Sequence, residues 1–181
     1  MIRRLATVED LYDVEGKAEL VHGEIVHMPP TGDQPGMASD AITESLRHYM
    51  RQTRSGRAYG DGKGFLVDLP HRKSFSPDAA YYIGPPGGMG FLPQAPVFAV
   101  EVRSENDYGP AAEREMADKR ADYFAAGTLV VWDVDLQSDE VVRVYRSESP
   151  AAATKYRRGQ QAEAEPALPG WVMPVDALFE N

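Results

Sequence analysis

Three residues have types and surroundings suited to work on a phosphate: Asp78, Glu101 and Lys119. Asp78 follows Ser76-Pro77 and opens a strand-like run. Glu101 interrupts Val97-Phe98-Ala99-Val100-Glu101-Val102, the most apolar strand of the chain. An ionised carboxylate there is costly unless a cation or hydrogen-bond donors hold it. Lys119 falls on the next helix, within about 60° of Met116 and Tyr123 by helical spacing, at or beside the core-facing side. Two carboxylates can hold a hard cation through oxygen, and such a cation polarises a phosphate and acidifies the attacking water. A lysine can orient that water or steady the charge that builds on the phosphate. These are the parts of a magnesium-dependent phosphodiester hydrolase. The same residues also admit a structural reading, with Ser-Pro-Asp as a common turn, Glu101 paired to Arg103 or Arg120, and Lys119 reaching solvent.

The elements that must position them follow from local pattern. Thr7 with Asp10 three residues on marks a helix start, and Val8, Leu11 and Val14 supply its short apolar stripe. Residues 18–26 read as two strands about a His22-Gly23 turn, ended by Met28-Pro29-Pro30-Thr31-Gly32. Ser39 or Asp40 can cap a helix to about Thr53 with Ile42, Leu46 and Tyr49 on one side, stopping at Ser55-Gly56. Strand-like runs follow at Arg57–Gly60, Phe65–Leu69, Ala79–Ile83 and Val97–Arg103, with a glycine- and proline-rich loop at 84–90. Pro110 opens a helix that Gly127 closes, and Leu129–Val134 is a second buried strand. Strand, helix, strand in that order predicts a parallel crossover. Glu140–Tyr145, Ala153–Arg157 and the Pro169-Gly170-Trp171 tail read as edge strands. Nothing divides the chain, so residues 1–181 are expected to form one domain.

Composition narrows the chemistry. The 181 residues include no cysteine, which excludes disulfide frameworks, thiolate zinc sites and cysteine nucleophiles. The sequence contains no Gly-x-Ser-x-Gly elbow, no P-loop and no dinucleotide-binding glycine motif. His22, His27, His48 and His71 lack metal-ligand spacing within a helix. No apolar run is long enough to span a membrane and the start has no signal-like core, so a cytoplasmic location is expected. The formal net charge of −9 argues at first against a polyanionic partner. It divides unevenly, however: residues 47–73 carry seven bases and two acids, a net of +5 against −14 elsewhere. Within that stretch Arg47, Arg51 and Arg54 fall at i, i+4 and i+7, opposite the apolar stripe. Such a row could follow a phosphate backbone or form a solvated helix face.

Several short motifs occur in a characteristic order. They are Glu19-Leu20-x-x-Gly23-Glu24, Ser76-Pro77-Asp78-Ala79-Ala80 and Val100-Glu101-Val102-Arg103-Ser104. Then come Lys119, Tyr123 and Gly127 in a Lys-x3-Tyr-x3-Gly array, Val131-Trp132-Asp133-Val134, Leu168-Pro169-Gly170 and Leu178-Phe179. In this order they resemble the Uma-type putative restriction endonucleases, a bacterial family of the PD-(D/E)XK nuclease superfamily, from about Thr7 to Phe179. The resemblance implies an α/β restriction-endonuclease-like fold, a central mixed β-sheet flanked by helices, with Asp78 and Glu101 as metal ligands. The superfamily usually places a lysine two residues after the glutamate, where this chain has Arg103. Similar members supply the lysine from the next helix, which points to Lys119. Family members also tend to carry a histidine near the start of the long helix, where this chain has Met37-Ala38-Ser39-Asp40.

The expected function is therefore a Mg2+- or Mn2+-dependent endonuclease acting on DNA. Asp78 and Glu101 would hold the metal with the Val102 carbonyl, Lys119 would assist the water, and Arg103 would contact the phosphate. Glu19 is a candidate accessory acid, and Arg47, Arg51 and Arg54 are candidate nucleic-acid contacts. The alternatives are a degenerate nuclease fold kept as a binding or assembly module, with a homodimer as a candidate assembly, and a nuclease acting on RNA.

Overall fold

The structure, a computed structural model, describes residues 4–179. Helix α1 (Val8–Tyr12) opens on the expected capping box, in which Thr7 and Asp10 satisfy each other's exposed amides. Strands β1 (Ala18–Val21) and β2 (Glu24–His27) form the antiparallel hairpin, with Gly23 in the turn at φ 69°. Helix α2 (Asp33–Thr53) starts six residues before the expected cap at Ser39. The cause is Pro35, whose missing amide falls in the first turn, where no intrahelical partner exists to be lost. The later boundaries run through β3 (Arg57–Gly60), β4 (Phe65–Leu66), β5 (Ser74–Phe75), β6 (Ala79–Tyr82), β7 (Phe98–Val102) and helix α3 (Pro110–Ala125). Beyond α3 come β8 (Val130–Val134), β9 (Val142–Arg146), β10 (Ser149–Tyr156), β11 (Gln161–Glu163), β12 (Val172–Pro174) and a 3-10 turn at Val175–Phe179. The expected strand at Phe65–Leu69 is only two residues long and pairs with the short β5.

Six strands form the central sheet in the order β10-β9-β8-β7-β6-β3. Only β7 and β8 run parallel, joined by α3 as the predicted crossover; the other neighbours are antiparallel. The sheet separates two apolar clusters. On one face α2 lays Ile42 and Leu46 against Phe98, Val100 and Trp132, which Trp171, Met173 and Leu178 cover from the tail. On the other face Phe65, Phe75 and Leu92 pack with Ala99, Tyr123 and Val131.

Alternation along β7 decides the site. Phe98, Val100 and Val102 point toward α2, while Ala99 points toward α3. Glu101 shares the Ala99 side by strand period. Helix α3 is poor in apolar anchors: Tyr123 is its one fully buried residue. Charged and polar side chains therefore supply much of its docking. No helix among the described residues is long and apolar enough to cross a membrane.

Candidate metal and phosphate site

The site is built where β1, the start of β6, the end of β7 and the inner face of α3 converge. Asp78 stands immediately before β6 and is fixed at backbone and side chain. Its amide donates to the Val100 carbonyl at 3.0 Å, and its own carbonyl accepts from Ser39 Oγ at 2.7 Å. Oδ2 accepts from the Val102 amide at 2.7 Å, and Oδ1 accepts from Lys17 Nζ at 2.7 Å. Glu101 lies beside it on the neighbouring strand. Its Oε1 accepts from Lys119 Nζ at 2.9 Å and from the Tyr123 hydroxyl at 2.6 Å.

Lys119 and Tyr123 are one helical turn apart and so reach Glu101 together. The same Lys119 Nζ lies 2.9 Å from Glu19 Oε1. The helix lysine thus occupies the place beside the strand glutamate, joining two of the predicted acids. Glu19 is almost fully buried, and its remaining partners are the Ser76 amide at 2.8 Å and Arg72 Nη1 at 2.7 Å.

Around this core the charges alternate. Arg72 continues to Asp122 at 2.8 Å, whose other oxygen meets His71 Nε2 at 2.7 Å. Lys17 also pairs with Asp61 at 2.6 Å. Five carboxylates (Glu19, Asp61, Asp78, Glu101, Asp122) face three lysine and arginine cations (Lys17, Arg72, Lys119), so the acids are in excess.

Proton affinities follow from this arrangement. Burial raises the Glu101 carboxyl, and although Lys119 opposes this, Asp78 and Glu19 add to it, leaving the group above the ordinary glutamate range. Burial also works against ionised Glu19, but Lys119 and Arg72 outweigh it and hold that carboxyl low. Lys119 is buried, yet Glu101 and Glu19 keep its ammonium above the usual lysine value. It is therefore a cation and hydrogen donor at neutral pH, not a base. Lys17 is held charged in the same way, against burial, by Asp78 and Glu101. The Tyr123 hydroxyl is pushed well up by burial and by Glu101, so it stays a donor.

Among the described residues, no group of three or more histidines or acids is arranged to enclose a metal ion. The fit must rest on fewer ligands. Mg2+ and Mn2+ sites with only one or two carboxylates, completed by water and substrate phosphate, are ordinary. Asp78 and Glu101 supply such an all-oxygen pair, and the excess of acids in the cluster suits a divalent cation.

Arg103 and the basic row are placed elsewhere. Arg103 Nε and Nη2 grip the two oxygens of Asp133 at 2.8 Å each, and Nη1 and Nη2 reach Glu113. The physical cause is Asp133, buried near the end of β8 and in register with Glu101, which needs a counter-charge. In place of the expected phosphate contact, the guanidinium ties α3 to the sheet. Arg47, Arg51 and Arg54 are exposed, as their spacing suggested. They trail Ser39, which touches Asp78, by 8 to 15 residues along α2, roughly 12 to 22 Å at the helical rise.

Lys17, Arg72 and Tyr123 were not expected in the site. Lys17 stands two residues before Glu19, the spacing that puts both on one side of an extended segment. Arg72 was hidden in the basic stretch and turns inward, only 7% exposed.

A mixed sheet with one parallel crossover and acids at adjoining strand ends defines a restriction-endonuclease-like α/β fold. Residues 5–176 match the Uma2 family, described as putative restriction endonucleases, and the chain belongs to that family. The chain is also similar to the crystal structure of a putative nuclease belonging to DUF820 from Anabaena variabilis ATCC 29413. The TM-score is 0.73 at 15% identity, with 96% of this chain and 97% of that one covered. No curated protein matches the sequence.

Proposed function

We infer that the chain is a divalent-metal-dependent endonuclease that hydrolyses phosphodiester bonds in DNA. One observation carries this reading: Asp78 and Glu101 come together at adjoining ends of β6 and β7, with Lys119 from α3 on Glu101. A bound Mg2+ or Mn2+ would polarise the scissile phosphate and acidify the attacking water. Asp78 and Glu101 would hold it. The Val102 carbonyl is the third candidate ligand, since the amide of the same residue already faces Asp78.

The chain's own part is positioning and charge. Lys119 stays protonated between Glu19 and Glu101, so it donates to the water or to a phosphate oxygen and does not remove a proton. Tyr123 donates to the same Glu101 oxygen as Lys119 and helps to orient the carboxylate. Lys17 neutralises Asp78 and would have to share it with the metal, with Asp61 as its second anchor. Arg103 holds α3 in place through Asp133 and Glu113.

The cations already seated on Asp78 and Glu101 also suit the rival reading, a nuclease fold retained for binding or assembly. Conversion of supercoiled plasmid DNA separates the two. The endonuclease nicks plasmid with Mg2+ or Mn2+ and loses the activity in Asp78→Ala. No nicking with either metal rejects the enzymatic reading.

A further inference from the structure

A groove of about 550 Å³ opens beside the site, between α1, β3 and the two glycine-rich loops at 62–64 and 86–90. Lys17 and Ser76 form its inner end, so it leads to Asp78, which Lys17 touches, and to Glu19, which accepts from the Ser76 amide. Its lining has two chemical features. It carries the cations Arg57 and Lys63, with Lys17 at the inner end already paired to Asp61 and Asp78, and includes no carboxylate, in a chain of net charge −9. It also carries aromatic surface: Tyr59, and the stacked pair Tyr12 and Phe91 with ring centroids 4.1 Å apart and planes 13° from parallel. Tyr12 is 49% exposed, although its hydroxyl is anchored by the Phe91 amide.

Cations spaced among aromatic faces are the general means of holding an unpaired polynucleotide strand, with phosphates on the charges and bases on the rings. Gly62 and Gly88, both at positive φ and with open space where a side chain would stand, allow close approach to the walls. The volume lies within the roughly 300–1,000 Å³ of small-ligand pockets and takes a nucleotide-sized unit, not two paired strands side by side. The other cationic surface, the row on α2, has no buried end at the acids and contributes no residue to the groove.

We propose that this groove binds an unpaired stretch of DNA and feeds it to Asp78 and Glu101, making single-stranded or locally opened DNA the preferred substrate class. The inference rests on the nucleic-acid reading above and names its substrate.

The test is binding without cleavage. Fluorescein-labelled 12-nucleotide DNA, single-stranded or as a duplex of the same sequence, is titrated with intact protein in EDTA and followed by anisotropy. A single-stranded RNA 12-mer serves as a third probe. The single DNA strand should bind on the order of tenfold more tightly than the duplex. Arg57→Ala with Lys63→Ala should remove that preference, and the slope of log affinity against log salt should become shallower by about 1.4, at ~0.7 per lost contact. The triple Arg47→Ala, Arg51→Ala, Arg54→Ala variant should retain the preference. Equal binding of single strand and duplex overturns the groove assignment. So does tighter binding of the RNA strand, or loss of binding in the α2 variant alone. Binding of none of the probes overturns both the groove assignment and the nucleic-acid reading. Both groove substitutions lie at a sheet edge and a loop, and circular dichroism of the variant confirms its fold.

Discussion

Glu19→Gln removes one charge from the middle of the cluster while preserving shape, and its cost can be worked from the contacts. The carboxylate is only 4% exposed and serves Arg72 at 2.7 Å, Lys119 at 2.9 Å and the Ser76 amide at 2.8 Å. A glutamine keeps the bond to Ser76 and gives up both ionic partners. Breaking one side of a buried ion pair typically costs about 3–5 kcal/mol. Arg72 keeps Asp122 and Lys119 keeps Glu101, so the lower end applies, about 3 kcal/mol. For a chain of this length that is a fall in Tm of roughly 6–12 °C. Because the folded carboxyl sits below its ordinary 4.5, its stabilisation is fully present above that pH and disappears as pH falls through the folded value. The difference between native protein and variant should therefore be widest at neutral pH and narrow below about pH 4.5. Urea unfolding followed by circular dichroism, repeated across that range, measures it. A neutral-pH difference under about 0.5 kcal/mol, or one that widens in acid, would refute the charge balance described for Glu19.

Tyr123→Phe keeps the ring stacked 3.9 Å from Phe75 but loses the 2.6 Å bond to Glu101, and urea unfolding should show a cost of about 1.5–3 kcal/mol. Arg103→Met takes from Asp133 its two short bonds but leaves Arg120 at 3.6 Å and Arg143 at 3.9 Å, so it should cost about 3 kcal/mol by the same assay. Calorimetry should find its Mn2+ affinity unchanged within about twofold, since Arg103 acts on α3 docking and not on the acids. The raised proton affinity of Glu101 sets a pH limit: ligation needs the carboxylate, so Mn2+ affinity should fall with acidification beginning above pH 4.5, with proton release on binding. Affinity that stays flat down to pH 4.5 contradicts this.

Residues that break their own local pattern are legible from sequence. Glu101 stands out because an acid in an apolar strand needs a reason, and helical spacing brings Lys119 toward it. The parallel crossover is equally plain, since β7, α3 and β8 each announce their type. Long-range inward turns are harder. Arg72 reads as one more base in a positive stretch, and only the docking of β1 against the segment before β5 buries it on Glu19. The stretch is accordingly not one face: Arg72 is buried on Glu19, while Lys73 pairs with the exposed Asp68. Arg103 likewise has the right type for a phosphate contact, but its role depends on Asp133, thirty residues away and aligned only by sheet register. The groove is invisible locally because its cations and rings come from three separate stretches, 12–17, 57–63 and 91.

The proposed divalent-metal site is Asp78 with Glu101. Calorimetric titration of Mn2+ into the native protein and into Asp78→Asn at neutral pH tests it most directly, because the substitution keeps the shape that the Val102 amide holds. Saturable uptake by the native protein, lost in Asp78→Asn while both remain folded, is the predicted result. No uptake by the native protein, or equal uptake by both, would contradict it.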